Sequence, residues 1–208
     1  MEGFKRNQVE EAIARQFGRH QPDTELRTRL KRLLDTDRNL PLAQRSAIKH
    51  AFYSEKGPGR GKEVFLSEYE AFALSTGLRL LNHNWTQQIV VKLLRDARQD
   101  LAYFHRQILL EDPTDLFDPS EIVRQRERFF VAADNLRPTF LLIVSDSGAS
   151  PGRGDADVLQ TYVFRATEAD AFSRMKLGRS TTFLELVTAA HKLHDALLST
   201  EPAKRGRT

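Results

Sequence analysis

Apolar residues recur along the first forty positions with helical spacing. Val9, Ile13 and Phe17 stand four apart, which predicts an amphipathic helix over Asn7 to Phe17, stopped at Gly18. Leu26, Leu30, Leu33 and Leu34 repeat at i, i+4, i+7 and i+8, so a second helix follows, opened by Asp23 or Thr24 as its cap. Pro41 suits the first turn of a third helix through Ala47, Ile48, Ala51 and Phe52. The run Gly57-Pro58-Gly59-Arg60-Gly61-Lys62 forbids a helix, and Val64-Phe65-Leu66 after it is β-prone. Ser67 and Glu70 have capping-box spacing, predicting a helix to about Leu81 that ends at Asn82-His83-Asn84. From Thr86 the apolar positions Ile89, Val90, Leu93, Leu94, Ala97, Leu101, Phe104 and Ile108 predict one long helix to Glu111.

The second half reads differently. Asp112 to Pro119 is a polar connection, and Asp118 with Pro119 and Glu121 marks a helix start reaching about Phe130. Thr139 to Val144 is a continuous apolar run, expected as a buried strand, and Leu159 to Arg165 alternates as a half-buried strand does. Together they predict a two-stranded antiparallel hairpin across the Gly-, Ser- and Asp-rich segment Ser145 to Asp157. Thr167 opens a short helix with Ala171, Phe172 and Met175, and from Thr181 the residues Phe183 to Leu197 predict a final amphipathic helix. The expected architecture is a mostly helical α+β chain with a helical, DNA-binding-like part over residues 1–112. A sensing or dimerisation domain occupies 113–200, and a disordered basic tail 201–208.

Charge sharpens this picture. Residues 1–62 hold 14 Lys or Arg against 8 Asp or Glu, whereas residues 63–112 hold 5 against 7, so the excess positive charge is concentrated in the first third. It falls on the polar face of the second helix (Arg27, Arg29, Lys31, Arg32), on the third (Arg45, Lys49) and on the glycine loop (Arg60, Lys62). Those eight side chains are the candidate contacts to a phosphate backbone. The same pattern also describes a leucine-striped core helix with a solvated charged face.

Lys62, Val64 and Phe65, the acidic helix start at Glu68 and Glu70, Leu74, Leu78-Arg79-Leu80-Leu81, and Thr86-Gln87-Gln88-Ile89 with Leu93-Leu94 together resemble the wing and following helices of MerR-type regulators. The resemblance covers about residues 60–94. It implies a winged helix-turn-helix, double-stranded DNA as partner and a homodimer. The chain departs from that pattern in having Asn82-His83-Asn84 where a glycine break is usual, and a third helix before the loop.

Other chemistry is poorly supplied. No cysteine is present, which removes thiolate catalysis and zinc fingers. Gly57 to Lys62 lacks phosphate-loop spacing, and Glu63 stands where a magnesium-binding hydroxyl belongs. Asp146, Asp155 and Asp157 lack calcium-loop spacing. His191 and His194 lack the metalloprotease spacing and read as surface histidines, and Ser145 and Ser147 have no acid-base set. Tyr69 and Trp85 are candidates for stacking on bases or for burial between helices. The expectation is a non-enzymatic cytoplasmic regulator with no cofactor and no membrane segment; the alternative is an adaptor binding an acidic protein partner.

Overall fold

The structure is a computed structural model that describes residues 3–41, 50–54, 64–113, 138–145, 159–165 and 180–201. It is mixed α+β and mostly helical. In chain order the elements are β1 (Phe4–Lys5), α1 (Arg6–Gln16), α2 (Thr24–Asn39), β2 (Phe65–Leu66), α3 (Glu68–Asn82), α4 (Gln87–Asp96), α5 (Arg98–Leu109), β3 (Thr139–Ser145), β4 (Leu159–Arg165), β5 (Ser180–Glu185) and α6 (Val187–Leu198). They fall into two compact units, Met1–Arg98 with Lys192–Thr208, and Gln99–His191.

Local sequence chemistry sets the helix ends of the first unit. Asp23 caps α2 by accepting from the Leu26 amide at 2.7 Å. Ser67 and Glu70 form the expected capping box, with Glu70 N donating to Ser67 Oγ at 3.2 Å and Ser67 N to Glu70 Oε2 at 2.7 Å. Helix α1 stops at Gly18, which adopts φ 73. There Gly18 N donates to Arg15 O and Arg19 N to Ala14 O, so carbonyls left over at the helix end are used. Asn84 performs the same role after α3 with φ 65, as Asn84 N reaches Leu81 O and Trp85 N reaches Leu80 O. Asn tolerates this left-handed position better than most side chains, which is why the Asn82-His83-Asn84 break works without glycine.

The leucine stripe of α2 is buried as the spacing predicts, with Leu26, Leu30, Leu33 and Leu34 at 3% exposure or less. It packs against α4 and α3, and Gly77 on α3 permits the approach. A Cβ there would lie 3.2 Å from Leu94 Cδ1 and Phe52 Cζ. Asp37 is on the same inward face and fully buried. Its carboxylate accepts from Ala51 N at 2.9 Å, Phe52 N at 3.0 Å and Arg95 Nε at 2.9 Å. Arg95, also buried, donates in addition to the carbonyls of Asp37, Leu40 and Pro41. One ion pair therefore fastens the end of α2, the 50–54 segment and α4 to each other. The C-terminal residues of this unit are tied in similarly: His194 pairs with Glu68 on α3, and Gln8 Nε2 on α1 donates to Thr200 O at 3.0 Å.

Two expectations about the helices of the first half require correction. The single long helix is two, α4 and α5, joined at Ala97. Tyr69 Oη donates to Arg98 O at 3.2 Å while the Arg98 guanidinium turns to His50 O and Ala51 O, so that residue is held from outside the helix at the junction. The third predicted helix does not extend through Phe52: residues 50–54 are non-helical, because Ala51 and Phe52 give their amides to Asp37 rather than to a helical ladder. Strand β2 pairs antiparallel with β1, Phe4 opposite Leu66, so its partner among the described residues is the N-terminal strand.

In the second unit β3 and β4 form the predicted antiparallel pair, Thr139 opposite Arg165 through Ser145 opposite Leu159. A third strand, β5, pairs antiparallel with the other edge of β3 and gives the order β4-β3-β5. Residues 180–185 were expected to enter the last helix, and they are this strand. Thr181, Thr182 and Phe183 favour a pleated backbone, and Glu185 caps α6 by accepting from Val187 N at 2.6 Å, so the helix begins only there. Phe140 lies 6.1 Å from the rings of both Phe164 and Phe183, and with Leu142 and Val144 they fill one face of the sheet. The predicted helices at 121–130 and 167–175, the 146–157 part of the polar loop and the basic tail from 202 lie outside the described residues.

Removing one partner of a buried ion pair strands the other's charge, at a cost of about 3–5 kcal/mol. Asp37→Asn is expected to destabilise the first unit by about 3 kcal/mol, read from urea unfolding monitored by Trp85 fluorescence. A loss under about 1 kcal/mol would show that the pair does not hold the helices together.

Candidate nucleic-acid interface

Of the eight cations singled out from sequence, four lie on α2 and are described; Arg45, Lys49, Arg60 and Lys62 lie outside the described residues. Arg27 and Lys31 are one helical turn apart and exposed, and Arg32 is exposed further round the helix. Among the described residues Arg27 has a single ion pair, Nε to Glu10 Oε2 at 3.8 Å. Lys31 and Arg32 have no acidic partner among the described residues. Arg29 is half-buried on another side of the helix and reaches Glu25 at 3.9 Å. It is one turn from Arg32 and on the far flank from Arg27.

Because the opposite face of α2 is packed, these side chains stand on a rigid support. The Arg27 contact is long, and its Glu10 carboxylate is already held by Arg6 at 2.7 Å, so a phosphate competes readily for the exposed Arg27 guanidinium. Arg38 extends the stripe of Arg27 and Lys31, seven residues beyond Lys31, and sequence reasoning did not single it out. It is largely committed: its NH2 donates to Tyr53 Oη at 3.4 Å, its guanidinium lies 5.8 Å from the Tyr53 ring centre, and NH1 is 3.9 Å from Asp35. Burial pushes the Tyr53 phenol up, against the opposing effect of Arg38.

Next to this stripe the C-terminal turns of α2 and the N-terminal turn of α4 enclose a groove of about 390 Å³. Arg32, Asp35, Thr36 and Asn39 line one side and Gln87 with Gln88 the other, over a floor of Leu40 and Pro41. Thr36, Asn39, Gln87 and Gln88 make no side-chain hydrogen bond to any described residue; Asn39 and Gln88 are exposed, Thr36 and Gln87 half-buried. Helix α4 opens at Thr86 without a side-chain cap and without an acidic residue in its first turn. Only half of the groove had a signal in sequence, the polar spacing 32, 35, 36 and 39 along α2.

No family profile, curated protein or solved structure matches this chain.

The aromatic candidates resolve in favour of structure. Trp85 is buried, and Tyr69 is half-buried with its hydroxyl on Arg98 O and its ring 5.4 Å from the Arg98 guanidinium carbon. Neither presents a face for stacking on bases. His191 is buried rather than a surface histidine, and His194 pairs with Glu68. Among the described residues no group of three His, Asp or Glu is placed to hold a metal ion, and no helix is long and apolar enough to cross a membrane.

Burial, partly offset by Arg98, pushes the Tyr69 phenol from its ordinary 10.0 up to about 12. The folded state thus holds that proton more tightly than the unfolded chain does. The stability this contributes is complete below pH 10.0 and is lost as pH rises toward about 12. Urea unfolding of the wild type and Tyr69→Phe at about pH 9 and about pH 11 measures it. The wild type is expected to lose more stability than the variant between the two, and parallel losses would contradict the assignment.

Proposed function

We propose that this chain is a DNA-binding transcriptional regulator that contacts the phosphate backbone of a duplex through α2. The observation that carries the reading is the set of exposed cations Arg27, Lys31 and Arg32, spread over the outer side of a helix whose other face is locked into the core. Lys31 and Arg32 lack acidic partners among the described residues. Such an array steers a polyanion and replaces its condensed counterions. The support comes from the helix; Arg60 and Lys62 of the glycine loop lie outside the described residues.

A protein-interaction adaptor is the second reading. It is favoured by β4, an edge of the three-stranded sheet among the described residues, with Tyr162 46% exposed on it.

Fluorescence anisotropy with a labelled duplex over a salt series separates the two. Binding is expected to weaken with a log-log slope of about −0.9 per phosphate neutralised, and Lys31→Ala with Arg32→Ala to reduce that slope by about 2. A flat salt dependence or an unchanged slope in the double variant contradicts the regulator reading. Absent duplex binding, together with protein complexes that survive nuclease, favours the adaptor.

A further inference from the structure

The groove between α2 and α4 has a composition unlike that of an ordinary small-molecule pocket. Its volume of about 390 Å³ is within the usual range, but such pockets are lined mainly by apolar side chains. Here, among the described residues, the apolar contribution is Leu40 and Pro41. The other described lining residues carry one guanidinium, one carboxylate, one hydroxyl and three carboxamides.

Each group has a defined recognition chemistry. The Arg32 guanidinium, without an ion pair among the described residues, offers a fork of donors that matches two phosphate oxygens. A carboxamide presents a donor and an acceptor side by side, the pattern that pairs with the edge of a nucleobase. Asn39, Gln87 and Gln88 supply three of them, from two different elements. Among the described residues Asp35 has only its loose contact to Arg38 at 3.9 Å, and it is an acceptor for hydroxyl groups.

The floor is also held in place before any ligand arrives. Leu40 O and Pro41 O accept from Arg95 at 3.3 and 3.2 Å, and Arg95 is itself locked to Asp37. A site fixed in advance loses less entropy on binding. We propose that this groove holds one nucleotide unit, with the phosphate on Arg32 and the base edge on Asn39, Gln87 and Gln88. The inference does not depend on duplex binding. A free mononucleotide and an unstacked nucleotide in a single strand bring the same groups.

Isothermal titration of the full chain with the four 5′-mononucleotides, inorganic phosphate and single-stranded oligonucleotides of increasing length tests it. At least one mononucleotide is expected to bind with a Kd of about 1 mM or tighter, and inorganic phosphate about tenfold more weakly. Arg32→Ala is expected to weaken the nucleotide about tenfold, with Arg32→Lys recovering part of the loss. Gln87→Ala with Gln88→Ala is expected to level the affinities for the four bases to within about twofold. Arg32 and Gln88 are exposed and Gln87 half-buried, and far-ultraviolet circular dichroism matching the wild type verifies that the variants fold.

Affinity that does not grow with oligonucleotide length supports a free nucleotide as the source, and growth of about tenfold or more supports a strand. The proposal is overturned if neither mononucleotides nor oligonucleotides bind, or if inorganic phosphate binds as tightly as every nucleotide. Equal affinity of the wild type for all four bases, or unchanged binding in the Arg32 and Gln87/Gln88 variants, overturns it as well.

Discussion

Burying an ionised carboxylate costs several kcal/mol unless its oxygens are fully engaged, and Asp37 meets that condition with two backbone amides and a guanidinium. The consequence is geometric. A pair of this kind tolerates little displacement, because any opening leaves a charge unsolvated in the core. Through Asp37 and Arg95 the end of α2, the Ala51-Phe52 turn and α4 have one mutual arrangement. The cations on the outside of α2 and the groove against α4 inherit it.

Hydrophobic burial works alongside this pair without replacing it. Leu26, Leu30, Leu33 and Leu34 supply apolar contact for α2, each burial contributing about 1.5–3 kcal/mol, but apolar contact is non-directional. It sets which face of α2 turns inward and leaves the longitudinal register open. The Asp37–Arg95 contact, with Arg95 also spanning Leu40 O and Pro41 O, resolves that register. A second tie, the Tyr69 hydroxyl on Arg98 O, works in the same way at the junction of α4 and α5.

Features that depend on neighbours in sequence were legible before any coordinates. The Ser67–Glu70 capping box, the Asp23 cap, the stop at Gly18 and the leucine stripe each involve residues within a few positions, and each is present in the structure. The β3–β4 pairing was legible for a related reason, since an apolar run and an alternating run have few other uses in a small sheet. The segment Ser180 to Val187 misled because Phe183, Leu184, Leu186 and Val187 satisfy a helical stripe as well as a strand. Only the cap made by Glu185 decides where the helix begins. The join at Ala97 had no local signal, because the groups that hold it, on Tyr69, His50 and Ala51, come from distant positions. Asp37–Arg95 was invisible for the same reason, and so was the groove, whose carboxamides come from two elements that meet only on folding. On the candidate interface, composition located the cations of α2 but did not distinguish half-buried Arg29 from exposed Arg27, Lys31 and Arg32.

The central claim is that the Asp37 carboxylate holds the Ala51-Phe52 turn as firmly as the helices it joins. Native-state hydrogen exchange at the Ala51 and Phe52 amides tests it most directly. These two non-helical amides are expected to exchange as slowly as the core amides of α2 and α3, through global opening. Exchange at the rate of an exposed loop would contradict the account.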